Sequence, residues 1–178
     1  MKLSKFNLTN AQAVIELFEN VFTESESKEE GKLIASLVSD LINTTNKDDL
    51  LGFVAVLEGK IIGSIFFSRL MLPNDKAAFI LSPVAVASEH QGKGVGQKLI
   101  NFGLGHLKSL NVDLVFTYGD PDFYSKVGFE QVRESIVKAP FKLSHPEGWL
   151  AQSLNGASID AMNGSVKCVT ALNDQQYW

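Results

Sequence analysis

A chain of 178 residues, 45% hydrophobic and 20% charged, is long enough to bury one real core. Its formal net charge of −4 and pI of about 5.4 argue against a nucleic-acid partner, although a local basic loop still binds phosphate on such a background. One cysteine, Cys168, excludes an internal disulfide; the N-terminal segment has no signal-type apolar run, and no stretch approaches the roughly 20 apolar residues of a membrane span. A cytoplasmic protein without membrane contact is the expectation.

Lys2–Leu8 alternates loosely and reads as a first strand. Thr9 followed by Gln12 has the spacing of a capping box, and Val14, Ile15, Leu17, Phe18, Val21 and Phe22 then recur at helical spacing. Ser27 with Glu30 repeats the capping signal before a second amphipathic helix from Leu33 to Ile42. The acidic stretch Thr23–Glu30 between them reads as an exposed corner, able to attract a cationic amine. Leu51–Leu57 and Ile61–Leu70 flank Glu58-Gly59-Lys60, a hairpin signal. Pro73-Asn74-Asp75 is a turn, and Ala77–Val86 is a third long apolar strand. Pro83 has no N–H for a ladder, so this strand should bulge or part from a neighbour there.

A helix from about Gly94 to Leu110 follows, with Leu99, Ile100, Leu104 and Leu107 on its packing face. Val112–Thr117 is the next strand. Asp120 as N-cap, Pro121 at the first helical position and Gly128 at the stop then define a short helix. Phe129 opens another strand. The tail from Ser135 is broken by Pro140, Pro146 and Asn155-Gly156, and Ser165–Thr170 reads as the last strand. Helices set among strands of a mixed sheet give an α/β or α+β single domain over residues 1–178.

The stretch LSPVAVASEHQGKGVG, Leu81–Gly96, carries the chemistry. It runs from an apolar strand through a basic, glycine-rich loop into a helix whose first N–H groups have no intrahelical acceptor. Those donors and the positive end of the helix dipole favour an anion. Gly92, Gly94 and Gly96 remove side chains that would keep a diphosphate from the backbone, and Lys93 adds a cation. A Walker A loop fails here: Ala87 stands where its first glycine belongs, and Gly94 follows Lys93 where Ser or Thr is needed. A GxGxxG fingerprint fails too, because Gln97 occupies the third glycine position and Gly96 comes one residue early. A nucleotide-phosphate enzyme is disfavoured by both failures.

Gln91, Gly94 and Gly96 fill the pattern Q/R-x-x-G-x-G/A, and FYSKVGF, Phe123–Phe129, follows after one helix and one strand. Together these resemble the GNAT family of N-acetyltransferases, over most of the chain. The GDPDFYSKVGF wording is similar to a bacterial, YhbS-like subgroup with a C-terminal extension. The resemblance implies a mixed central sheet flanked by helices, with a core of about residues 1–140 and an extension of about 141–178. It implies acetyl-CoA as co-substrate and no metal. The loop of Gln91, Gly92, Lys93, Gly94, Val95, Gly96 and Gln97 would hold the diphosphate. Val84, Ala85 and Val86 would pair with the pantetheine arm, with the Val86 N–H aimed at the thioester oxygen. Tyr124 would line the cofactor site and protonate the departing thiolate; a phenol near pKa 10 keeps its proton at neutral pH. Many members carry Asn and Ala seven and four residues before this tyrosine, where Thr117 and Asp120 stand here.

Each of these residues has a plainer reading. The loop alone is an ordinary tight turn, Tyr124 a half-buried aromatic beside Phe123 and Phe129, and Lys93 and Lys98 a solvated helix surface. His90, His106 and His145 share no metal-ligand spacing, and Cys168 reads as a buried structural thiol. The general base stays open among Glu24, Glu26, Glu29, Glu30, Asp120, Glu134 and His145. The acceptor is a small-molecule or protein amine, and edge strands leave a homodimer open. The competing function is a non-catalytic acyl-CoA sensor, which keeps the loop but has no use for Tyr124.

Overall fold

The computed structural model describes residues 1–178. Eight strands form a mixed sheet ordered β1-β2-β3-β4-β5-β7-β6, with β8 paired to β3. They are β1 (Lys2–Lys5), β2 (Leu50–Leu57), β3 (Lys60–Met71), β4 (Ala77–Val86), β5 (Leu114–Tyr118), β6 (Glu130–Gln131), β7 (Trp149–Ser153) and β8 (Lys167–Cys168). The α-helices are α1 (Ala11–Ser25), α2 (Lys28–Thr44), α3 (Val95–Ser109) and α4 (Pro121–Tyr124). The chain forms two compact units, Met1–Phe67 with Pro83–Gly103, and Ser68–Ser82 with Leu104–Trp178.

In the first unit β1 pairs antiparallel with β2, Lys2 opposite Val56. Glu58 and Gly59 both take positive φ, 51° and 78°, so β2 and β3 join through the two-residue turn whose twist matches a hairpin. The apolar run of β3 covers both faces. Phe66 packs toward α1, with its ring 6.2 Å from Phe18, while Phe67 meets α3. Successive strand residues point to opposite faces, and here both are covered by helices. A Cβ on Gly103 would lie 2.5 Å from the Phe67 ring, and one on Gly31 would lie 2.0 Å from Thr23 Oγ1. Those two glycines therefore set how closely α3 meets β3 and α2 meets α1.

The Ser27–Glu30 cap forms: the Glu30 N–H donates to Ser27 Oγ at 3.1 Å. The expected Thr9–Gln12 box does not. Asn7 Oδ1 accepts from the Thr9 N–H at 3.0 Å and caps a 3-10 turn over Leu8–Asn10, which ends the first strand at Lys5 rather than Leu8. Gln12 instead donates to Glu16 at 2.7 Å. The Asx turn thus takes the Thr9 N–H that the Gln12 side chain would accept in a capping box.

In the second unit β4 runs parallel to β5, from Ala78 opposite Leu114 to Leu81 opposite Thr117. The register stops there, two residues before Pro83, as a residue without an N–H dictates. Strand β5 begins at Leu114, not Val112. Asp113 accepts from the Ala77 N–H at 3.0 Å and from Asn155 at 2.9 Å, pinning the strand start to the tail. Strand β7, WLAQS, was not expected from the sequence. It lies antiparallel between β5 and β6, with Tyr118 opposite Trp149. The strands expected after Phe129 and within Ser165–Thr170 are only two residues each.

The tail earns its place through aromatic packing. Trp149 is fully buried, stacks on Phe116 at 5.1 Å and donates from Nε1 to Val137 O at 2.9 Å. The terminal Trp178 stacks on Tyr118 and Phe141 and donates to Leu172 O at 3.0 Å. Both indole N–H groups are satisfied, as burial requires. No helix is long and apolar enough to cross a membrane.

Candidate active site

In the first unit, β4 ends at Val86, a 3-10 turn spans Ser88–His90, and α3 starts at Val95. Ala85 is buried, whereas Val84 and Val86 are half-exposed. The Ala87 N–H donates to Ile62 O on β3 at 2.9 Å. Backbone groups alternate in direction along a strand, so the N–H and C=O of Val86 point away from β3. The carbonyl on that side accepts from Gln91 Nε2 at 2.9 Å. Gln91 therefore uses its amide to tie the loop to the strand exit.

Gly92 and Gly94 take positive φ of 70° and 76°, which a side chain at either position would oppose. The Lys98 N–H donates to Gly94 O at 3.1 Å, which makes Gly94 the cap of α3. The N–H groups of Val95, Gly96 and Gln97 then have no intrahelical acceptor and point out of the helix start. Lys93 Nζ donates to Glu89 O at 2.8 Å, which holds the ammonium over the loop with two of its three donors left. The Glu24 carboxylate, at the end of α1, accepts from Ser88 Oγ, directly before this loop. Of the base candidates named above, Glu24 is thus the one tied to the loop.

In the second unit, Asp120 Oδ1 accepts from the Asp122 N–H at 2.9 Å and caps α4, with Pro121 at its first position. The turn closes through a 3-10 segment, Ser125–Val127, on Gly128 in the left-handed region at φ 89°. These are the start and stop read from the sequence. Tyr124 folds back over Gly119, where a Cβ would lie 2.7 Å from its ring, and Phe123 and Phe129 meet the ring edge-on. Burial pushes the Tyr124 phenol above its ordinary value; a side-chain hydrogen bond with Thr117 acts the other way, and the Asp120 charge adds to the rise. The phenol accordingly keeps its proton through the neutral range.

Thr117, which stands where many family members carry Asn, had no role assigned from the sequence. It is fully buried, and its Oγ1 donates to Leu81 O at 2.9 Å. The signal was present as the one hydroxyl in the apolar run LVFT. Other candidates stand elsewhere: Glu26 and Glu134 are exposed, Glu29 and Glu30 begin α2, and His145 Nδ1 lies 3.3 Å from Glu147. A cleft of about 660 Å³ along β6 and β7, lined by Arg133 and Gln152 among others, includes neither Tyr124 nor Thr117.

A family description, acetyltransferase (GNAT) domain, matches residues 48–131, the stretch that holds β2 to β6 with the loop and Tyr124. The uncharacterised N-acetyltransferase YjhQ of Escherichia coli K12 is 32% identical over 140 residues, covering 75% of this chain and 77% of YjhQ. The chain belongs to the GNAT family of N-acetyltransferases. The uncharacterised N-acetyltransferase YhbS of the same strain is 35% identical over 141 residues, 78% of each chain. A crystal structure of YhbS from Escherichia coli in complex with CoA superposes with a TM-score of 0.83 at 25% identity, over 97% of this chain and 92% of that one. A GNAT acetyltransferase from Brucella melitensis in complex with acetyl-CoA superposes at 0.70 and 23% identity, over 96% and 97%, a likeness of fold. GNAT membership makes this chain an acetyltransferase, with the mixed sheet and flanking helices of that fold.

Proposed function

We propose that this acetyltransferase moves an acetyl group from acetyl-CoA to an amine by direct attack within a ternary complex, in the cytoplasm. The observation that carries this reading is the start of α3: outward N–H groups of Val95, Gly96 and Gln97 beside two positive-φ glycines and Lys93. That set suits a diphosphate, because backbone donors and a single ammonium recognise phosphate without needing a shaped side-chain pocket. The CoA bound to YhbS supports the same ligand here.

Val84, Ala85 and Val86 would pair with the pantetheine amides as an added strand. The direction of the Val86 N–H, away from β3, supports its role as donor to the thioester oxygen as charge grows there. The amine nitrogen attacks the carbonyl carbon, the C–S bond breaks, and Tyr124 gives its proton to the departing thiolate. The extra proton on the new amide nitrogen leaves through a base or water and restores the phenol. The raised pKa of Tyr124 supports this, since a donor must hold its proton until the thiolate forms.

The test is thiol release from acetyl-CoA in the presence of a polyamine, a free amino acid or a peptide with a free N-terminus. Turnover with at least one amine, and a rise in melting temperature with CoA, are the expected results. Tyr124→Phe should lower kcat by about 10²-fold or more while CoA affinity stays unchanged. A chain that binds CoA yet turns over no amine would be an acyl-CoA sensor. A chain whose melting temperature ignores CoA would defeat the whole reading.

A further inference from the structure

We propose that Trp178 is a positioning residue of Tyr124: its ring holds closed the last rung of the β5–β7 ladder, and the Tyr124 ring rests on that rung. This inference rests on the donor role of Tyr124 proposed above and adds the device that aims the donor. The last paired residues of the two strands are Tyr118 and Trp149. One step beyond them the Gly119 N–H donates to Gly148 O at 3.0 Å. Both residues of that rung are glycines, and each permits a close approach. A Cβ on Gly148 would lie 2.8 Å from Gly119 O, and one on Gly119 would lie 2.7 Å from the Tyr124 ring. The turn Pro146–Gly148, the Gly119 backbone and the Tyr124 ring therefore touch in series, with no intervening side chain to absorb a shift.

Glycines are the least restrained residues a rung can have. This one has no side chain of its own to hold it, so its restraint comes from the pair before it. Trp178 lies against both members of that pair, 6.3 Å from the Tyr118 ring and 6.0 Å from Trp149, and stacks on Phe141 at 6.2 Å. The indole is itself anchored: Nε1 donates to Leu172 O at 3.0 Å, and the Trp178 carbonyl accepts from Ser144 Oγ at 3.0 Å. The residue after Ser144, His145, donates its N–H to the Tyr118 phenol oxygen at 2.8 Å and accepts from the Gly148 N–H at 2.8 Å. The tail thus fixes Tyr118 and Gly148 together, and with them the glycine under Tyr124. A proton donor must sit within hydrogen-bond reach of the departing sulfur, and a misplacement of about 1 Å costs up to about 10²-fold in rate. A ring that keeps the rung closed therefore acts on the rate through Tyr124.

The test compares Trp178→Ala, Trp178→Phe and Gly148→Ala, each alone and in a Tyr124→Phe background. Trp178→Ala should lower kcat for thiol release from acetyl-CoA about tenfold or more with CoA affinity unchanged, and Trp178→Phe, which keeps a stacking ring, should retain most of the rate. Gly148→Ala keeps every ring of the cluster and displaces Gly119 directly, so it should lower kcat as well, and it decides the matter if Trp178→Ala does not fold. In the Tyr124→Phe background neither change should add a loss, because a residue acting through another is non-additive with it. Independently of turnover, amide hydrogen exchange should show Gly119 losing protection in Trp178→Ala while the rest of β5 keeps it. Full kcat in Tyr124→Phe would remove the donor role and this inference with it. Equal losses with and without the Tyr124 phenol, or unchanged exchange at Gly119, would overturn the role of Trp178 while leaving the donor intact.

Discussion

Residues 86–97 present main-chain groups, whereas residues 117–124 present side chains, as the two halves of the proposed site. In the first region the polar side chains serve the loop: Gln91 donates to Val86 O, Lys93 donates to Glu89 O, and the groups without an intrahelical acceptor are amides at the start of α3. In the second the backbone serves the side chains. The Asp120 cap and Gly128 fold a one-turn helix so that Tyr124 returns over Gly119. A site made of amides depends on a few φ angles set by adjacent residues. A site made of a phenol and a hydroxyl depends on packing that reaches from β5 through β7 to the chain end.

The strongest way to break that contrast is Trp149→Ala. Removing the ring that stacks on Phe116 should cost about 3–5 kcal/mol, read from the denaturant midpoint. The CoA-dependent gain in melting temperature should survive in whatever fraction stays folded. If amide-based binding disappears along with the aromatic cluster, the two regions are not separable in this way.

Next in size is the pH dependence of turnover. The folded Tyr124 holds its proton more tightly than a free phenol, so between pH 10 and its raised value the folded chain keeps a proton the unfolded chain has lost. The Tyr124-dependent part of kcat, taken as wild type less Tyr124→Phe, should therefore be present at neutral pH and fall only above pH 10. A limb near neutrality would belong to the base and would sharpen the choice among the carboxylates.

Gly94→Val tests the main-chain half. It forces a side chain into a left-handed residue, a strain of about 1–2 kcal/mol. CoA affinity should weaken about tenfold by calorimetry while the far-ultraviolet spectrum stays unchanged. The smallest effect concerns Cys168. Burial pushes its thiol up to about 11, so at pH 8 iodoacetamide should leave the native chain unmodified and alkylate it only on unfolding.

Short-range signals were sufficient wherever one residue dictates its neighbours' geometry. The Asp120-Pro121 start and Gly128 stop of α4, the Ser27 cap and the Glu58-Gly59 turn all stand as read. So does the span of β4, Ala77–Val86. The Q-x-x-G-x-G loop and the tyrosine segment carried the family as well, since their spacing is local chemistry repeated on one fold. What escaped was contact between distant segments. WLAQS has too few residues and too weak an alternation to declare itself a strand, and it becomes one because β5 and β6 offer ladder partners on both sides. Thr117 looked like one polar residue in an apolar run until folding set its hydroxyl against the Leu81 carbonyl. Local backbone preference is written residue by residue, so the chain itself determined the turns, the caps and the glycine-rich entry to α3. Pairing across 36 residues, as between Thr117 and Leu81, exists only after loop closure brings the partners together, so tertiary structure alone decided it.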